Sequence, residues 1–111
     1  MKESAIHCAL VEHIKLRARD GLAWLHPPNG GARDGRTGAM LKRMGTKPGA
    51  PDFLLWRDGR AFALELKAPG GRVSESQHLF LGELERAGVY TAIAEGLDRA
   101  IAVLKAWDLI E

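Results

Sequence analysis

The chain has 111 residues, a net charge of +2 and 46% hydrophobic residues, which predicts one globular domain with a single core. The single cysteine, Cys8, excludes an intrachain disulfide, and no apolar stretch is long enough to cross a membrane. Because the N-terminus does not resemble a signal peptide either, we expect a cytoplasmic protein with no membrane partner.

The first predicted element is a helix over residues 3–19. Ile6, Leu10 and Ile14 are spaced to form one buried face of this helix. The helix carries two acids: Glu3 continues the buried face, whereas Glu12 lies about half a turn away. Only one of them can point at a site on the sheet, and Glu3 is preferred because it shares the buried face.

A short strand over 22–26 and a glycine-containing loop come next. Asn29-Gly30-Gly31 allows the backbone to approach a ligand closely. His26 and the other histidines do not have the spacing of metal ligands, so the sequence predicts no zinc site.

A basic segment follows, with a short helix predicted over 38–44. Asp34 is the single acid between residues 29 and 51. The basic residues there are Arg33, Arg36, Lys42, Arg43 and Lys47. This local excess of positive charge predicts a polyanionic partner, and a solvated basic loop is the alternative.

The centre of the chain predicts a β-hairpin. Two apolar runs flank Asp58-Gly59, which is the strongest short-range hairpin signal. A two-residue loop there would place Asp52 opposite Glu65, with Lys67 on the same face as Glu65. A divalent cation between the two carboxylates would remove their repulsion and make a phosphodiester-hydrolysis site. The alternative is an ordinary hairpin with charged ends.

The last third of the chain predicts a helix, a strand and a final helix. Ser74 and Gln77 fit a capping box at the start of the first of these helices. A crossover helix between two strands implies parallel pairing of the third and fourth strands. We therefore expect one α/β domain over residues 1–111, with a central mixed four-stranded sheet flanked by helices.

Four motifs, taken together and in this order, resemble the VRR-NUC (virus-type replication-repair nuclease) domain of the PD-(D/E)xK restriction-endonuclease-like superfamily. They are Asn29-Gly30-Gly31, Gly49-x-Pro51-Asp52, Glu65-Leu66-Lys67 and Ser74-x-x-Gln77. The resemblance extends over essentially the whole chain and implies a single VRR-NUC domain with an αβββαβ core.

The resemblance also implies a set of functional residues. The catalytic set is Asp52, Glu65, Lys67, Gln77 and Glu3. Of these, Asp52 and Glu65 would bind Mg²⁺ or Mn²⁺ together with the backbone carbonyl of Leu66, and Lys67 would position or activate the attacking water. Gln77 has a second explanation in the capping box, and Glu12 remains the alternative to Glu3.

The implied substrate is DNA. The residues expected to contact it are Asn29, Gly30, Arg33, Arg36, Lys42, Arg43 and Lys47. Stand-alone members of this size resemble dimeric resolvases of Holliday junctions, which implies a homodimer acting in DNA repair inside a bacterial or phage-infected cell. A monomeric flap or nicking nuclease and a non-catalytic DNA-binding module are the alternatives.

Overall fold

The structure is a computed structural model that describes residues 1–28 and 35–111, and a four-stranded sheet lies at its centre. The elements in chain order are α1 (Glu3–Arg17), β1 (Ala23–Leu25), α2 (Gly35–Arg43), β2 (Phe53–Arg57), β3 (Arg60–Lys67), α3 (Glu75–Arg86), β4 (Tyr90–Glu95) and α4 (Leu97–Ala106). The strand order is β1-β2-β3-β4, with β3 and β4 parallel and the other two pairs antiparallel. The predicted mixed sheet is confirmed.

The hairpin between β2 and β3 has the predicted register. Asp58 and Gly59 form its tip with φ angles of 51° and 75°, because a type I′ turn requires positive φ at both central residues. The paired ladder ends with Phe53 opposite Leu64. Asp52 therefore comes one residue beyond the end of the ladder, at the position where the same register would place it opposite Glu65.

The main core lies between the sheet and two helices. Ile6, Leu10 and Ile14 of α1 are buried, as their spacing predicted, and they share a cluster with Leu104 of α4. The central strand β3 is covered on both faces, since consecutive residues from Phe62 to Lys67 are all buried although side chains alternate along a strand. Such a strand can hold charged residues in a dry environment.

Two predicted helices have different bounds in the structure. The first helix ends at Arg17 instead of residue 19 because Ala18 leaves helical geometry and forms an isolated bridge with Ile110. The second begins at Gly35, three residues before its predicted start. Within residues 1–28 and 35–111, no helix has the length and apolar character needed to span a membrane.

Candidate metal and nucleic-acid site

Three carboxylates from separate elements meet beside the open end of the hairpin. Glu3 of α1, Asp52 immediately before β2 and Glu65 of β3 each bring an oxygen to a cluster whose atoms all lie within 4.8 Å of one another. Of the two acids on α1, it is Glu3 that joins this cluster, whereas the side chain of Glu12 is exposed to solvent. The predicted acidic pair is thus extended to three carboxylates.

Asp52 is held by contacts on both its backbone and its side chain. Its carboxylate oxygen Oδ2 accepts a hydrogen bond of 2.7 Å from the amide of Leu66, and its backbone oxygen accepts one of 2.7 Å from Nδ1 of His26. The side chain of Asp52 thus bonds to strand β3 just beyond the last backbone pair of the hairpin. The first bond orients the carboxylate and the second holds the backbone that carries it, before any ligand binds.

The loop before Asp52 is pressed against the start of α3. Gly49 has a φ of 80°, and a Cβ at this position would collide with the backbone carbonyl of Ser76 and lie 2.7 Å from the amide nitrogen of Gln77. Only glycine fits this close approach in this conformation. The contact therefore ties the position of the Asp52 loop to the N-terminus of α3.

Glu65 is a buried carboxyl that is only 1% exposed. Within the described part of the chain, its Oε2 has no hydrogen-bond partner. Burial, hydrogen bonding to Asp52 and the charge of Asp52 raise the pKa of Glu65 to about 9, against a smaller lowering effect of Lys67. An unpartnered buried oxygen beside two further carboxylates is the donor set that a hard divalent cation prefers.

Lys67 follows two residues after Glu65, as in the predicted Glu-x-Lys motif, and is 8% exposed. Among residues 1–28 and 35–111, no carboxylate lies within ion-pair distance of its ammonium. Its backbone oxygen accepts a 2.9 Å hydrogen bond from the amide of Gly96. This bond anchors the end of β3 and leaves the ammonium group available for a ligand.

Gln77 is engaged in the capping box that the sequence predicted. Its side-chain oxygen accepts a 2.8 Å hydrogen bond from the amide of Ser74, and Ser74 Oγ accepts a 3.2 Å bond from the amide of Gln77. This box orders the first turn of α3, which is also the turn that Gly49 touches. The side-chain oxygen of Gln77 is thus used by the cap.

Two histidines whose spacing in the sequence does not indicate a metal site lie beside Asp52. His7 Nδ1 is 3.7 Å from Asp52 Oδ1, and the ring centroids of His7 and His26 are 4.4 Å apart. Burial and the charge of His26 lower the pKa of His7, although Asp52 opposes them. The one available signal was the position of His7, four residues after Glu3 and hence on the same helical face.

The basic residues that the structure describes are not equivalent. Arg36, Lys42 and Arg43 lie on α2. Lys47 instead lies 3.2 Å from Glu83 Oε2, and its ammonium stands over the ring of Phe80 at 5.6 Å. The ammonium of Lys47 is therefore already engaged in contacts within the protein. The predicted DNA-binding residues Asn29, Gly30 and Arg33 lie outside the described residues.

The mixed sheet therefore carries a cluster of three carboxylates, together with a buried lysine, at the open end of its hairpin. A model of the VRR-NUC domain matches residues 3–98, and the chain therefore belongs to the VRR-NUC domain family. A solved structure described as a VRR_NUC domain protein superposes with a TM-score of 0.79 at 21% identity, covering 100% of this chain and 92% of that chain, which shows a shared fold. The comparison with curated proteins found no match.

Proposed function

We propose that this domain is a structure-selective DNA endonuclease that depends on Mg²⁺ or Mn²⁺. The observation that carries the proposal is the unpartnered, buried oxygen of Glu65 beside the carboxylates of Asp52 and Glu3. Leaving such an oxygen unsatisfied costs roughly 1–3 kcal/mol, and a bound cation would remove this cost. A hairpin that served only the fold would gain nothing from this arrangement.

The acidic residues would hold the cation and Lys67 would act on the water. Asp52, Glu65 and Glu3 supply carboxylate oxygens, and the backbone carbonyl of Leu66 is the further ligand. A bound Mg²⁺ or Mn²⁺ would polarise a phosphate oxygen and make water more acidic. Lys67, with three donors on a compact ammonium, would orient the attacking water or contact a phosphate oxygen.

The basic residues of α2 would hold the DNA backbone. Arg36, Lys42 and Arg43 can each contact phosphates, which gives affinity that depends on salt and little on sequence. Gln77 would contribute to the site through its side-chain amide nitrogen, because its side-chain oxygen is bonded to the amide of Ser74 in the helix cap. A homodimer would supply the two sites needed to cut a Holliday junction symmetrically.

The direct test is cleavage of a four-way junction, a flap and a plain duplex, each with Mn²⁺ or with EDTA. We expect cutting only with the metal and a preference for the branched DNA. Asp52→Asn and Lys67→Ala should abolish cleavage, whereas Asp98→Asn, a matched acid on α4, should not. Absence of metal-dependent cleavage on every substrate would contradict the enzyme and favour a non-catalytic DNA-binding module.

Light scattering separates the two forms of the enzyme. A dimer at micromolar concentration supports the resolvase, which needs paired sites. A protein that stays monomeric and still cleaves would be a flap or nicking nuclease.

A further inference from the structure

A second group of potential ligands shares Asp52 with the acidic cluster. His7, His26 and Asp52 each offer one atom, and these atoms lie within 4.8 Å of one another. The three residues come from α1, from the segment after β1 and from the position just before β2. Unlike the acidic cluster, this group supplies two nitrogen ligands.

The hydrogen bond of His26 decides which of its nitrogens can bind a ligand. The partner of Nδ1 is the backbone oxygen of Asp52, at 2.7 Å, and a carbonyl oxygen can only accept. Nδ1 therefore carries the proton and the lone pair stays on Nε2. Histidines that bind metals commonly donate their other N–H in this way, which fixes both the tautomer and the ring orientation.

His7 is also held in place before any ligand binds. Its ring stacks on Phe53 with centroids 4.5 Å apart and packs against the His26 ring in a T-shaped arrangement. Nδ1 lies 3.7 Å from Asp52 Oδ1. In a tetrahedral site with bonds of 2.0–2.1 Å, two ligand atoms are about 3.3 Å apart. A small side-chain rotation would bring this pair to that spacing.

We propose that His7, His26 and Asp52 form a binding site for a borderline transition-metal ion of the Zn²⁺ type. Imidazole nitrogens suit Zn²⁺, whereas Mg²⁺ prefers oxygen ligands only. Three protein ligands leave one position open, and the group lines an open pocket into which that position can face. Because Asp52 belongs to both sites, Zn²⁺ bound here competes with Mg²⁺ or Mn²⁺ for this carboxylate.

The test is calorimetric titration of the metal-free full chain with Zn²⁺, with Co²⁺ absorption spectra as a second readout. We expect micromolar or tighter Zn²⁺ binding and visible bands of nitrogen-ligated Co²⁺. His26→Asn keeps a donor for the Asp52 carbonyl but removes the Nε2 ligand. His7→Phe keeps an aromatic ring against Phe53. Each should weaken Zn²⁺ binding by more than about tenfold.

Two further variants locate the ion. His78→Asn changes a histidine on α3 and should leave Zn²⁺ affinity unchanged. Glu65→Gln should weaken Mn²⁺ binding while Zn²⁺ binding persists, which separates this site from the nuclease proposal. The inference is overturned if the wild-type chain fails to bind Zn²⁺, if the His7 and His26 variants bind it as tightly as the wild type, or if Glu65→Gln removes it.

Discussion

The amide of Leu66 donates a 2.7 Å hydrogen bond to Asp52 Oδ2, and this bond joins the two strands just beyond the last backbone pair of the hairpin. A carboxylate that already accepts such a bond is held in a fixed orientation. Its neighbour Glu65 lacks a corresponding donor for Oε2 within residues 1–28 and 35–111. The two acids are therefore unequal, and the response of the protein to metal and to pH should depend on that difference.

Glu3 and Glu12 form a matched pair for testing the third carboxylate. Both are glutamates on α1, but only Glu3 reaches the cluster. We expect Glu3→Gln to weaken Mn²⁺ binding by at least about tenfold because it removes one anionic ligand, whereas Glu12→Gln should have no effect. Calorimetry of both variants measures this difference, and equal affinities would remove Glu3 from the site.

The stability of the metal-free protein should fall as the pH rises. The pKa of Glu65 is about 9 in the folded chain and near 4.5 in the unfolded chain, so between these values the folded chain holds a proton that the unfolded chain has released. The free energy of unfolding then decreases with pH, by at most about 1.4 kcal/mol per pH unit. Glu65→Gln should lack this contribution.

Urea denaturation of wild type and Glu65→Gln at several pH values, without metal, measures the effect. The difference between the two proteins should widen steadily from about pH 5 to about pH 9. Added Mn²⁺ should cancel most of the decrease in wild-type stability. Parallel stability profiles for the two proteins would show that Glu65 ionises as an ordinary surface acid.

Gly49 should be irreplaceable. Gly49→Ala places a methyl group against the backbone of α3 and also forces alanine to a φ of 80°, so we expect the protein to be destabilised by more than about 2 kcal/mol. Gly45→Ala is the control, since Gly45 has a similar φ of 93° but no described atom within 4 Å of its added Cβ. It should cost only about 1–2 kcal/mol. Equal destabilisation of the two variants in urea would show that the loop can withdraw from α3.

The α2 cations should determine the salt dependence of DNA binding. Removing one phosphate contact lowers the slope of log affinity against log salt by about 0.9. We expect neutralising Arg36, Lys42 and Arg43 together to reduce the slope by about 2 to 3. A second triple variant removes the same charge at other positions, namely Lys15, Arg99 and Lys105. Fluorescence anisotropy at several salt concentrations should give this control a slope near that of the wild type.

Variants of Gln77 can distinguish its contribution to the helix cap from a contribution to DNA cleavage. Gln77→Glu keeps an oxygen for the amide of Ser74 and should keep the stability of the protein, whereas Gln77→Ala should be less stable by about 1 kcal/mol. If the amide nitrogen also serves the site, Gln77→Glu should cleave DNA more slowly at unchanged stability. Full cleavage by this variant would limit Gln77 to the cap.

Local signals were enough to predict the hairpin and the acids it carries. Asp58-Gly59 predicted the register of the hairpin, and that register placed Asp52 at the level of Glu65. The structure confirms the register up to the last backbone pair, Phe53 with Leu64. The spacing of Ile6, Leu10 and Ile14 likewise identified the buried face of α1. Each of these features depends on neighbours in sequence, whose geometry a residue pattern encodes directly.

The histidine group and the helix ends could not be predicted in this way. His7 and His26 meet only because α1 and the end of β1 converge on Asp52, and this is a relation between elements rather than within one. The end of α1 is similarly decided by Ile110, which pairs with Ala18 from the far end of the chain. Periodicity carries no information on such contacts.

The β-bridge between Ala18 and Ile110 bears on where a shortened recombinant fragment can end. A fragment ended at residue 98, where the family match stops, would discard Leu104 and Ile110, both of which belong to the core. The apolar stripe of α1 would then face water and favour self-association. Since that helix carries Glu3, removing the last thirteen residues would misplace an acid at the opposite end of the sequence.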